Sequence, residues 1–347
     1  MASNIRIFSP SGIELDNIIA STKRSWISSS RGAEGDCAWE MSTLDEKTTE
    51  KNLCFGNIVV IEHDNLPDWV GVIDCSPAER AWSYGKVTVT AYTAERLCKF
   101  GTTRNETRNA TYGGLFRAAL DYYNEDTALP IFAGQIDDNG LSRQETFGSD
   151  PFTHIQRIAG RSGGEWDVTA DFSSGKLSLR GNWYTRTGVN TGVMLFDGDN
   201  GNIEMKEPIL SEGALPIYNT IVGYSDAPTA GTRLKSKSSD EASRAKYGIR
   251  ILTKVYTGIT TQSGLDVAVN LDLKSYNKPI IQHEISVIDS RIFNLLRRGN
   301  IFDIDLSGSG FSQYGGIGYQ GKCKVYSIEY DDAAENRVAL GVETYDS

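Results

Sequence analysis

The chain has 347 residues, with 35 Lys and Arg against 45 Asp and Glu, a formal net charge of −10. That balance argues against duplex nucleic acid as the principal partner, because neutralising phosphates needs surplus positive charge. With 35 Gly, only 9 Pro and 10% aromatic residues, the composition favours a turn-rich β protein over a helical bundle, a coiled coil or a disordered chain.

The first hundred residues read as β. Met1 to Pro10 carries no basic patch followed by an apolar core, and the longest apolar runs, such as Ile58–Ile61, are far too short to cross a bilayer. Synthesis and folding in the cytosol, or assembly there into something larger, without membrane insertion, are the expectation. Period-2 alternation marks Cys37–Met41, with Ala38 and Glu40 expected to face water, and β-branched residues mark Asn57–Ile61, Trp69–Ile73 and Lys86–Tyr92. Ile18–Arg24 fits either a strand or a short helix. The five cysteines (Cys37, Cys54, Cys75, Cys98, Cys323) form no C-x-x-C pair, so they read as small buried apolar residues kept reduced, not as a zinc site.

The middle of the chain mixes helix and strand. Leu115, Ala118, Ala119 and Tyr122 stand at helical spacing within Tyr112–Asn124. Asp150 is a natural N-cap before Pro151, and Phe152, Ile155, Ile158 and Ala159 form one stripe that Gly160 is expected to stop. Glu165–Phe172 and Lys176–Arg180 read as a hairpin closed by Ser173-Ser174-Gly175.

The β signal returns at Ile217–Tyr224, Tyr247–Leu252, Pro279–Val287, Asn300–Leu306, Gly321–Tyr330 and Arg337–Leu340. Asp226–Lys246, rich in Ser, Lys, Thr and Ala, is expected to be a long exposed loop. Residues 263–277 fit two patterns: Leu265, Val267, Val269, Leu271 and Leu273 alternate as in a strand, while Ser263 and the length before Pro279 suit a helix.

One internal repeat organises the chain. Leu53-Cys-Phe-Gly56-Asn57-Ile58-Val-Val-Ile61 matches Leu296-Arg-Arg-Gly299-Asn300-Ile301-Phe-Asp-Ile304 in register. Each match is followed by a strand entered through glycine (Gly71 or Gly321) and then by a Val-led strand (Val87 or Val338). This implies two copies of one small β module, each sheet curled into a barrel that removes its edges. The fold class is therefore β-rich α+β, two similar small β-barrel domains (1–100 and 216–347, the latter with the long loop 226–246) flanking an inserted α/β region (101–215). Gly56, Asn57, Ile58, Gly71, Gly299, Asn300, Ile301 and Gly321 are the structural or interface candidates. Three chains with two alike modules would present six quasi-equivalent units in a ring.

The ordered set of Gly56-Asn-Ile with Trp69-Val-Gly-Val-Ile, the Asp150–Ala159 helix leading to Gly164-Glu-Trp-Asp-Val, Tyr218-Asn-Thr-Ile-Val-Gly-Tyr, the Lys/Ser-rich stretch entering Tyr247-Gly-Ile-Arg250, and Ile259–Pro279 leading into Leu296–Ile301 spans nearly the whole chain. It resembles the tail hub proteins of long-tailed phages and related contractile machines, the baseplate hub or tail-tip family. The resemblance implies a virion structural protein of the tail. It would be a homotrimer forming a pseudo-sixfold ring under the tail tube, with partners in the tube or distal tail protein and the other tip proteins. DNA would only pass through the channel. The resemblance also implies a helix over 263–277.

No motif demands catalysis, and no catalytic residue, metal or cofactor is assigned. Gly160-Arg-Ser162-Gly-Gly164 fits G-x-S-x-G, but its predicted order is helix then strand, the reverse of a nucleophile elbow. Gly316-Ile-Gly318-Tyr-Gln-Gly321 fits a dinucleotide pattern but runs into a strand and reads as a hairpin tip. Asp197–Asn202 lacks the sixth-position Gly and twelfth-position Glu of a calcium loop, so Asn200-Gly201 reads as a two-residue hairpin turn. His63, His154 and His283 stand at no metal-ligand spacing. Glu165 and Asp167 beside Trp166, with Asp171, support the alternative of a cell-wall or carbohydrate-degrading tail-associated enzyme, although solvent-facing alternation explains them more simply. Arg233, Lys235 and Lys237 make the one notable basic cluster, in the expected long loop.

Overall fold

The computed structural model describes residues 3–18, 21–29, 35–73, 82–83, 85–125, 127–138, 140, 142–184, 188–197, 200–205, 217–225, 233–257, 259, 261–277, 282–306, 320–331 and 337–345. Two compact units divide the chain: Met1–Pro208 with His283–Ser347, and Ile209–Gln282.

In the first unit the chain lays down β1 (Ser3–Phe8), β2 (Glu14–Ile18), β3 (Thr22–Ser29), β4 (Asp36–Ser42), β5 (Ile58–His63), β6 (Trp69–Ile73), β7 (Trp82–Ser83) and β8 (Lys86–Thr93), then a 3-10 turn at Ala94–Lys99. An α/β stretch follows: β9 (Thr107–Thr111), α1 (Tyr112–Asn124), β10 (Ile131–Ile136), β11 (Ser142–Thr146), α2 (Pro151–Ser162), β12 (Glu165–Asp171) and β13 (Ser178–Tyr184). Two strands close this part, β14 (Asn190–Phe196) and β15 (Ile203–Met205). The second unit holds β16 (Thr220–Ser225), β17 (Lys235–Ser239), α3 (Glu241–Tyr247), β18 (Ile251–Tyr256) and α4 (Gln262–Tyr276). The chain ends in the first unit with β19 (Gln282–Val287), a 3-10 turn at Ser290–Leu295, β20 (Ile301–Asp305), β21 (Gln320–Asp331) and β22 (Val338–Tyr345).

One 14-stranded sheet runs β15-β19-β22-β21-β3-β4-β8-β6-β5-β1-β2, with β20 beside β21, β14 beside β20, and β7 beside β8. Within it the same order occurs twice, β4-β8-β6-β5 and β19-β22-β21-β20. In each array the chain order first, second, third, fourth becomes the spatial order first, fourth, third, second. The arrays join through β3, which is antiparallel to β4 on one side and to β21 on the other.

Alternation decides which face each strand buries. Cys37, Trp39 and Met41 on β4 and Val87, Val89 and Ala91 on β8 enter one apolar core, which also takes Phe302, Ile304, Val325 and Val342 of the second array. Ala38 and Glu40 alternate to the other side, where Glu40 meets Lys23 at 2.7 Å and Lys86 at 3.3 Å. β5 is buried on both faces: Val59 and Ile61 join that core, while Ile58 and Val60 pack with Val70 and Val72 against α1, α2, β12 and β13. Each such fully buried aliphatic side chain contributes about 1.5–3 kcal/mol.

The helix expectations hold over Tyr112–Asn124 and at Asp150, whose carboxylate accepts the Thr153 N–H. Gly160 does not stop α2. The helix continues to Ser162 and ends at Gly163, which takes the left-handed φ of 68° that a C-terminal cap requires. Within Ile18–Arg24, Ile18 ends one strand and Thr22 starts the next, while residues 19–20 lie outside the described residues. The predicted hairpin is present as β12–β13, turning at Gly175 with φ 76°. Asn200 has a left-handed φ of 65°, but its turn joins strands with different neighbours: β14 pairs with β20 and β15 with β19. The Gly316–Gly318 stretch lies outside the described residues.

The second unit is a three-stranded sheet, β17-β16-β18, covered on one face by α4. The stretch read as one long loop, 226–246, contains β17 and most of α3, and 226–232 lies outside the described residues. The strand lacks an apolar stripe because its inner face is hydrogen-bonded instead. Ser236 donates to Asp266 and Ser238 to Asn270, both at 2.6 Å. Residues 263–277 are helical: Leu265, Val269 and Leu273 line one buried face, and Val267 and Leu271 lie outside it. Among the described residues no helix is long and apolar enough to cross a membrane.

Candidate functional site

The repeated sequence builds the same turn twice. Gly56 and Gly299 have φ of 85° and 84°, a conformation that costs a side-chain-bearing residue free energy and glycine none. In one copy the Asn57 N–H donates to the Cys54 carbonyl at 3.2 Å; in the other the Asn300 N–H donates to Arg297 at 3.1 Å. The asparagine side chains close the turns, Asn57 Nδ2 donating to the carbonyls of Lys51 and Asn52, and Asn300 Nδ2 to that of Leu295 at 2.8 Å. Ile58 and Ile301 then open β5 and β20 from buried positions.

The glycines assigned to the following strand are not at equivalent positions. Gly71 faces Val59 across its ladder, and the matching place opposite Phe302 is held by Cys323. Gly321 faces Ile304, where the first copy has Trp69 opposite Ile61. A slip of two residues preserves the inward and outward alternation, so the hydrophobic pattern does not reveal it. Gly71 has its own reason to be glycine: a Cβ there would lie 2.3 Å from the Tyr92 carbonyl oxygen.

The copies differ at the two residues before the glycine. Cys54 and Phe55 are exposed, Phe55 packing edge-on to Phe100 with centroids 6.5 Å apart. The counterpart of Phe55 is Arg298, with its side chain only 15% exposed. Its guanidinium reaches Glu95 at 3.2 Å and Asp167 at 3.8 Å. Beside it Lys324, at the β21 position where β6 carries Val72, bonds Glu165 at 2.6 Å. Asp167 also accepts from Asn182 Nδ2 at 2.8 Å. Arg298 and Lys324 thus tie the second array to β12 and to the turn that leaves the first array.

Burial governs the electrostatics of this cluster. It raises the Glu165 and Asp167 carboxyls above their ordinary range despite Lys324 and Arg298. The same burial lowers Arg298, but Glu95, Asp167 and Glu165 outweigh it and hold the guanidinium above its usual value. The cluster borders a cavity of about 550 Å³, lined among others by Trp26, Asp68, Trp69, Tyr184 and Arg297. Glu165 and Asp167 therefore do not alternate into solvent as expected; each faces a cation of the second array. Asp171 accepts from the Ser173 N–H and from Arg180 at 2.9 Å, which pulls it down to about 2. Each of the three carboxylates of the enzyme alternative is thus in an ion pair.

No protein-family model and no curated protein matches the sequence. Solved structures do. The 43 kDa tail protein of prophage MuSo2 from Shewanella oneidensis superposes with a TM-score of 0.62 at 14% identity, covering 98% of each chain. Prophage tail protein gp18 of Listeria monocytogenes EGD-e gives 0.61 at 12% identity, over 99% of this chain and 94% of its own. The tail protein of Neisseria meningitidis MC58 gives 0.64 at 9% identity, over 99% and 97%. The chain has the phage tail-protein fold.

Within this tail-protein fold a second buried ionic group escaped sequence reading. Glu145 on β11 is 2% exposed and bonds Arg161 at 2.6 Å, Arg157 at 2.9 Å and His154 Nδ1 at 3.2 Å. His154 Nε2 accepts the Gly148 and Ser149 N–H groups at 3.0 and 3.2 Å, which places the ring hydrogen on Nδ1, towards Glu145. Arg157 and Arg161 stand at i, i+4 on α2, a spacing that puts both on one helix face, and this was the available signal. His63 packs edge-on to Tyr330 at 4.5 Å, and the His283 side chain lies outside the described residues. Of the basic cluster, Arg233 and Lys235 flank the Tyr224 ring at 5.9 and 5.7 Å.

Proposed function

We propose that this chain is a structural phage tail hub protein. Three copies form a pseudo-sixfold ring that joins the tail tube to the tail tip or baseplate and surrounds the DNA channel. The observation that carries this reading is the doubled array: one strand order and one glycine-asparagine turn, repeated in a chain with the tail-protein fold. A threefold assembly of such chains offers six alike surfaces, which matches a sixfold tube without needing six subunits.

In this reading strands within 1–100 form the first barrel and β19–β22, the last part of 216–347, form the second, with 101–215 inserted between them; the stretch up to Gln282 adds the separate three-stranded unit. β14 and β15, from the end of the insert, complete the second barrel. Gly56, Asn57, Ile58, Gly299, Asn300 and Ile301 shape the paired turns, and Gly71 and Gly321 lie in the strands that follow them. The partners are two further copies, the tube or distal tail protein, and the other tip proteins. The net charge of −10 suits a lumen that lets DNA pass without adhering; a structure of the ring with a basic lumen would refute that point.

Light scattering on the purified full chain, followed by electron microscopy, tests the reading. A three-lobed ring with a central hole is expected. A monomer that hydrolyses wall material, and loses that activity in Glu165→Gln, would overturn it.

A further inference from the structure

The two sides of the second unit's sheet differ sharply. Ser236, Ser238, Lys254 and Tyr256 point to α4, where Lys254 and Tyr256 both meet Asp272. Alternation and register place Tyr224, Lys235, Lys237, Ile251 and Val255 on the opposite side, which no described element of this unit covers. Ile251 is 56% and Val255 47% exposed. The three strands contribute no carboxylate to that side, and Arg233 adds a further positive charge beside Tyr224. The face is thus basic and apolar together, bounded by the edge strand β18.

A face of opposite character lies on the first unit. On β14 the outward residues Met194 and Phe196 are 49% and 37% exposed. They lie beside Asp303 and Asp305 of the parallel strand β20. Lys322, 3.6 Å from Asp303, is the neighbouring cation. Among the described residues β14 pairs only with β20, so it too is an edge strand with outward apolar groups. Proteins generally blunt such edges unless something covers them.

We infer that these two faces are the two halves of one contact between copies of this chain. The Tyr224, Lys235, Lys237, Ile251, Val255 face of one copy docks on the Met194, Phe196, Asp303, Asp305 face of the next. The occupant is a second copy because a single chain carries both members of the complementary pair, one basic and apolar, the other acidic and apolar. A contact between two different faces is head-to-tail, and it closes into a ring when the rotation per copy divides the circle. The inference rests on the trimeric reading above and assigns the surfaces that make the trimer.

Sedimentation of the full chain over a range of concentrations tests it. The wild-type chain is expected to be a trimer. Lys235→Glu with Lys237→Glu, and separately Asp303→Lys with Asp305→Lys, should each weaken assembly at least tenfold. The four substitutions combined in one chain should restore most of it, a recovery that misfolding cannot produce. Ile251→Asp and Met194→Asp should each weaken assembly without any charge-swap rescue. A trimer unaffected by either pair refutes the docking surfaces and leaves the ring intact. Dissociation by one pair alone, or by both without rescue in the combined chain, also refutes them. A wild-type chain that stays monomeric at every concentration refutes the ring and the surfaces together.

Discussion

Gly56 and Gly299 occupy one position in two copies of a single turn. The Gly56 N–H donates to the Ile73 carbonyl at 2.9 Å, and the Gly299 N–H donates to Val325 at 2.8 Å. The return bonds match as well, Ile73 N–H to Asn57 at 2.8 Å and Val325 N–H to Asn300 at 3.0 Å. Both glycines need a left-handed φ, so Gly56→Ala and Gly299→Ala should each destabilise the chain by about 1–2 kcal/mol. Asparagine tolerates that conformation better, and the Asn variants should lose less. Urea unfolding of the four variants checks the equivalence, and a clear loss at one turn with none at the other would contradict it.

Arg298 joins three segments distant in sequence, its own turn, Glu95 and Asp167. Arg298→Met leaves two carboxylates facing each other without their cation in a site that burial has desolvated. A loss of about 3–5 kcal/mol is expected, the usual consequence of removing one partner from a buried pair. Adding Glu95→Gln and Asp167→Asn removes the orphaned charges and should recover most of the loss. Denaturant midpoints for the single and triple variants decide the matter, and a triple variant as unstable as the single one would count against the charge account.

Cys75 lies outside the described residues, and the other four cysteines separate by burial. Cys37, Cys98 and Cys323 are buried and Cys54 is exposed, so the expectation of uniformly buried thiols fails at the turn residue Cys54. Burial raises all three buried thiols, Cys323 up to about 12, and the thiolate is the reactive form. Brief alkylation of the native protein followed by peptide mapping should modify Cys54 before the three buried thiols. Cys37, Cys98 and Cys323 should react only after denaturant is added.

What the sequence made legible follows from which forces are local. The paired turns are readable because backbone geometry selects glycine, a side-chain amide closes the loop, and isoleucine opens a strand, all within eight residues. Helix α2 is readable at its start, where Asp150 and Pro151 act locally. Its end was misplaced because Gly160 and Gly163 are equally plausible until one of them adopts the left-handed φ. β17 was hidden because its inner face bonds α4 through Ser236 and Ser238, leaving no apolar stripe to detect. The Gly71–Gly321 pairing failed because a two-residue slip leaves the alternation unchanged. The Arg298 cluster draws on residues 95, 167 and 298, whose meeting depends on the tertiary fold and leaves no trace in local spacing.

Glu145 sets a pH dependence whose sign can be derived. Burial alone would raise its carboxyl, but the His154 hydrogen bond and the nearby Arg161 and Arg157 outweigh burial and hold it below the ordinary range. Its folded pKa therefore lies below its unfolded one, near 4.3 for a free glutamate. The folded state then binds fewer protons than the unfolded state in the window between the two values. The stabilisation is complete above the unfolded pKa and disappears as pH falls through the folded one. Glu145→Gln has lost it at every pH. At neutral pH this variant should be less stable by about 1–3 kcal/mol, because buried Glu145 loses its charge-assisted hydrogen bonds while the partly exposed Arg157 and Arg161 can turn to water. On acidification below about pH 4.3 the wild-type stability should drop towards that of the variant, whose own curve is flatter over that range. Urea midpoints for both proteins from pH 7 down to the acid limb test this, and a constant gap between the two curves would refute the assignment.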